Sequence, residues 1–107
     1  MPALQIPTRW LVGEYFVIRH KPSGRMIPAT RKGQGASFVE PCSLSVRMPR
    51  LFMTMASAKA FLGQWLRGQH VNVGDAEEPI IKVTPVPSRV KEDMEIIPLA
   101  LVFKELP

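Results

Sequence analysis

Cysteine is nearly absent from this 107-residue chain, and acid is scarce through its first two-thirds. With Cys42 alone, no disulfide can form within the chain, and a single cysteine reads as a small packing residue. No apolar run approaches the roughly 20 residues needed to cross a bilayer, so no membrane partner is expected. The stretch "MPALQIPTRW" holds two prolines and no basic start ahead of an apolar block, which argues against a signal peptide. The expected setting is a reducing cytoplasm.

Catalytic signatures are missing too. His20 and His70 are the only histidines, and no HxxxH, HxxE or CxxC pattern accompanies them. No metal or cofactor is therefore expected. No GxSxG elbow, Walker loop or cysteine–histidine spacing occurs. A triad assembled from distant residues would leave no such trace, yet the better expectation is a protein that binds without catalysing.

What is present suffices for a folded domain. Apolar residues make up 46% of the chain and charged residues 21%, the composition of a globular protein. The length suits a single domain over residues 1–107, with 1–13 expected as a loosely ordered arm. Eleven prolines disfavour long helices and central strands and favour turns and sheet edges.

"EYFVIRH", residues 14–20, is rich in β-branched and aromatic side chains and reads as a strand. "KPSG" turns the chain, with Pro22 and Gly24 at positions suited to a type I turn and bulge. "RMIPA" returns antiparallel to the first strand, and "SFVEP" reads as a short third strand ending at Pro41. "PCSLSVRMPR" is an irregular crossing. The one strong helical pattern covers residues 54–68. Thr54 or Ser57 can cap its start and Gly68 its end. Ala58, Phe61, Leu62, Trp65 and Leu66 form a buried stripe at helical spacing. Gly63 weakens this helix by about 1 kcal/mol relative to Ala and leaves room for a close approach. After the polar connector "VNVGDAEEP" come two more strands, "IIKVTPV" and "MEIIPLALVF". The expected fold is thus α+β, with a small antiparallel sheet of about five strands and one main amphipathic helix. The last strand, residues 94–103, is apolar on both faces, which points either to a central strand covered on both sides or to one whose second face is covered by another subunit in a homodimer.

Charge is the most informative feature. Residues 1–70 hold ten Lys and Arg against two acids, Glu14 and Glu40, a balance of +8. Residues 71–107 hold four against seven, a balance of −3. Such asymmetry suggests a positive face for an anionic partner, or else surplus charge that keeps the domain soluble or pairs with its own acidic tail. "TRKGQGAS", residues 30–37, is the candidate loop: Gly33 and Gly35 can turn amides toward phosphate, and Arg31 and Lys32 add charge. Arg19, Lys21 and Arg25 join them, giving five cations and no acid between residues 19 and 32. Trp10, Tyr15 or Phe38 can stack on a base.

"IRHKPSGRMIPA", "FVEP", "PRLFMTMASAKAFLGQWLRG" and, more distantly, "VPSRVKEDMEIIPL" together cover about half the chain. On these stretches it resembles small uncharacterised accessory proteins of tailed bacteriophages. The resemblance brings no functional residue with it. It implies a context in a bacterial host: binding nucleic acid, disabling a host protein or neutralising a defence. In layout, Phe52, Thr54 and Ala58 leading into one helix are similar to the sheet-and-helix modules by which some phage integrases and plant regulators bind DNA. Three readings follow: capture of a phosphate-bearing ligand such as a nucleotide defence signal, nucleic-acid binding through the same basic face, or docking on a host protein.

Overall fold

The computed structural model describes residues 14–100; the N-terminal arm, Trp10 and the last residues of the 94–103 strand lie outside them. The chain is α+β. β1 (Glu14–His20) is followed by a 3-10 turn at Ala36–Phe38, α1 (Met55–Arg67), β2 (Gln69–Asn72) and β3 (Ile81–Thr84). A second 3-10 turn at Lys91–Asp93 leads into β4 (Met94–Ala100). The four strands form two antiparallel pairs, β1–β4 and β2–β3, and not the single sheet of about five expected. Proline is the physical reason. Residues 25–29 do return along β1, but with Pro28, Pro41 and Pro49 nearby they reach only isolated bridges, Arg19 to Met26, Met26 to Cys42 and Pro28 to Pro49. "SFVEP" is not a strand: its first residues close the 3-10 turn, and Val39 follows in extended conformation.

The second half of β2, Val71 and Asn72, falls in what reads as a polar connector, and β3 pairs with it, while β4 crosses back to β1. The register sets Ile18 opposite Ile96 and His20 opposite Met94 on the face under the helix. Val17 opposite Ile97, and Arg19 opposite Glu95, share the other face. The core comprises Ile18, Ile27, Val39, Phe52, Ala58, Trp65 and Met94, with Phe61, Leu62 and Leu66 packed against it. The helical stripe therefore faces inward as its spacing requires. Trp65 is a core anchor, and its indole N–H donates to the Val39 carbonyl at 2.7 Å. Phe52 and Ala58, which carry the likeness to DNA-binding modules, are buried, and Thr54 caps the helix by accepting from the Ser57 amide.

Gly68 ends α1 at a φ of 131° and donates its amide to the Trp65 carbonyl at 3.1 Å. A β-carbon there would collide with the Thr84 carbonyl, so glycine is required both by conformation and by the close passage of β3.

Candidate binding site at the glycine loop

Arg31 to Gln34 form a β-turn closed by the Gln34 amide on the Arg31 carbonyl at 2.9 Å. Gly33 occupies its third position at a φ of 80°, the left-handed conformation that a type II turn demands. The Gln34 carboxamide oxygen accepts from the Arg31 amide at 3.2 Å and from Arg47 Nη2 at 3.2 Å. Arg47 also donates to the Ala29 carbonyl. The loop is thus held by neutral acceptors, and the cations around it keep their charge. The amides of Arg31 and Gln34 are consumed by the turn, which narrows any anion nest to the neighbouring amides.

Past the turn, Gly35 opens the 3-10 segment that presents Phe38. Gly33, Gln34, Gly35 and Phe38 together line an open concavity of about 490 Å³. A β-carbon on Gly35 would press against the Phe38 ring at 3.1 Å, so the small residue lets the ring lie against the loop. Of the expected site residues, the structure brings together Gly33, Gly35 and Phe38, with Arg31 and Lys32 on the same turn.

The other expected residues lie apart. Arg19 points to the outer face of the β1–β4 pair, where its Nε donates to Glu95 at 2.6 Å and its charge is neutralised. Tyr15 is half-buried across from Leu99 on that face. Lys21 is exposed at the first hairpin turn, tied through its amide to the Asp93 carbonyl at 2.7 Å. Arg25 lines a different cleft, of about 260 Å³, with His20, Ser23, Glu40 and Trp65. There His20 Nδ1 lies 2.7 Å from Ser23 Oγ, which also accepts from the Arg25 amide. No carboxylate among the described residues bonds to His20, so the pair lacks the orienting group of a triad.

The residue that organises this region is one the sequence did not single out. Arg89 is 7% exposed. Its Nε and Nη2 reach Glu40 Oε1 at 2.9 and 2.6 Å, Nη1 reaches the Trp65 carbonyl at 2.8 Å, and Nη2 reaches the Ser37 carbonyl at 2.7 Å. The guanidinium also stacks on the Trp65 ring, 4.3 Å from its centre. Glu40 is the only acid between Glu14 and Asp75, and Arg89 engages it. Arg31 and Lys32 are therefore left without an internal counter-charge among the described residues. Arg50, also without an ion-pair partner among the described residues, lies over the rings of Phe52 and Phe61 at 5.3 and 4.9 Å. Only the fold shows that Arg47 supports the glycine loop, since it sits in a proline-bounded crossing with no pattern of its own.

Among the described residues no three His, Cys, Asp or Glu side chains gather as metal ligands would, and no helix is long and apolar enough to cross a membrane. No protein-family model matches the chain, and no curated protein and no solved structure is detectably similar to it.

Proposed function

We propose that the protein is a non-catalytic binding factor that captures a phosphate-bearing ligand, a nucleotide, at the glycine loop. The observation that carries this is the sharing of one open concavity by Gly33, Gly35 and Phe38 beside Arg31 and Lys32, which have no ion-pair partner among the described residues. Phe38 offers a face for a base, Arg31 and Lys32 neutralise phosphate, and Arg47 braces the loop from behind. Arg19 and Arg25 drop out of this site, and Lys21 contributes at most long-range attraction. The resemblance to phage accessory proteins supports a role in the cytoplasm of a bacterial host, holding a nucleotide defence signal out of circulation.

Titration calorimetry with adenosine and guanosine nucleotides and a cyclic dinucleotide tests this. Arg31→Ala with Lys32→Ala is expected to weaken binding at least tenfold while the melting temperature stays within a few degrees, since both side chains are exposed. Equal affinity for the wild type and the double variant overturns the assignment.

Nucleic-acid binding is the second reading, favoured by Arg31, Lys32 and Arg50 having no acidic partner among the described residues. It predicts a loss of about 10³-fold or more in affinity between 50 and 200 mM salt if six or more phosphates are contacted. The outer sheet face gives it little support, because Arg19 there is paired with Glu95.

A further inference from the structure

One flank of α1 stays open. Leu62 and Leu66 on the helix and Met94 and Ile96 on β4 wall an apolar groove of about 560 Å³. Gly63 also lines it, although a glycine inside a helix costs about 1 kcal/mol relative to Ala. Nothing among the described residues requires that glycine, because a β-carbon there would meet none of their atoms within 4 Å. Its missing side chain leaves the groove deeper at that point. Lys59 and Lys91 stand at the rim. The one acid in the lining, Glu95, is engaged by Arg19, so Lys59 and Lys91 supply the charge the groove itself presents, with Glu92 and Asp93 following Lys91 in the chain.

The β2–β3 hairpin has the complementary surface. Every residue of β3 is exposed, and Val73, Ile80 and Ile81 are 58, 58 and 57% exposed. Asp75, Glu77 and Glu78 lie in the same loop, and Lys82 in β3 is the one Lys or Arg between Gln69 and Thr84. Asn72 Oδ1 accepts from the amides of Gly74 and Ile80, and Asp75 Oδ1 from those of Glu77 and Glu78, so the loop is held in one shape. An isolated two-stranded hairpin is marginal in water and gains from cover.

We propose that a second copy of this chain seats its acidic hairpin in the groove, with Ile80 and Ile81 entering against Leu62, Leu66 and Ile96 and with Glu77 and Glu78 reaching Lys59 and Lys91. Both halves of the contact belong to one sequence, and their charges are opposite. The contact moves self-association from the whole 94–103 strand to a groove of which Met94 and Ile96 form one wall. Donor and acceptor surfaces differ, so the interface is heterologous and builds a ring or a filament, not a two-fold dimer. Its contact residues are distinct from those of the nucleotide site.

Sedimentation velocity of the full chain, from micromolar to millimolar, tests this. Wild-type mass is expected to rise with concentration, and less so in high salt, where the screening length falls from ~10 Å at 0.1 M to ~3 Å at 1 M. Gly63→Phe, which fills the groove, is expected to need at least tenfold more protein to associate. Gly63→Ala, which leaves it largely open, is expected to stay within about threefold of wild type. Lys59→Glu with Lys91→Glu, and Asp75→Lys with Glu77→Lys and Glu78→Lys, are each expected to remain monomeric alone and to associate when mixed. This last result survives even if Gly63→Phe fails to fold. A wild type that stays monomeric throughout, association indifferent to Gly63→Phe, or a mixture no heavier than its components overturns the proposal, the first of these leaving the groove to a foreign partner.

Discussion

Ile18 and Ile81 are the same side chain in the same kind of antiparallel pair, yet Ile18 is fully buried and Ile81 is 57% exposed. The contrast extends to their surroundings. Ile18 lies between β4 and the returning segment at Ile27, and α1 covers it. The β2–β3 pair touches the rest of the fold mainly at its base, where the His70 amide donates to Ser37 Oγ at 2.8 Å and Gly68 passes under Thr84. A run of β-branched residues thus identifies a strand, but burial depends on what distant segments bring to it.

The largest effect that would sharpen this contrast is expected at the corner of the core. Arg89→Ala removes a buried guanidinium, takes this donor from the Ser37 carbonyl and leaves the Trp65 carbonyl with the Gly68 amide alone. A loss of about 3 kcal/mol in urea denaturation is expected, less than a fully buried ion pair would give because Glu40 is half exposed. A loss under ~1 kcal/mol would mean that water replaces the arginine. Next comes the joint between the regions. Gly68→Ala is expected to destabilise by about 2 kcal/mol through its positive φ and its collision with Thr84, with hydrogen exchange quickening in β2 and β3 before the core. Exchange that quickens uniformly would break the division into two regions. Smallest is Ile81→Thr on the hairpin, expected to change stability of the monomer by less than about 0.5 kcal/mol in dilute solution. A loss as large as that of a core deletion would show the hairpin to be buried after all.

Local features were legible in the sequence. The helix could be located because its stripe, Thr54 and Gly68 all lie within one short segment. The glycine loop was legible as a turn, and its proximity to Phe38 follows from a separation of only a few residues. What escaped depends on long-range pairing. Arg89 sits 49 residues from Glu40 and 24 from Trp65, and no local pattern distinguishes it from Lys91. The same limit led to an overestimate of the basic face, because Arg19 meets Glu95 only once β1 and β4 are paired. β2 was missed because "HVN" is short and adjoins acids and glycine, whereas strand pairing with β3 rests on backbone bonds that polar side chains do not prevent.

The Trp65 carbonyl serves two donors, the Gly68 amide that closes the helix and the Arg89 guanidinium that arrives from the segment before β4. Helix ends ordinarily unravel residue by residue, at little expense. Here the final turn cannot loosen without also letting go of the arginine, its glutamate and the aromatic ring beneath, so fraying at this terminus becomes a threshold event shared by three stretches of chain.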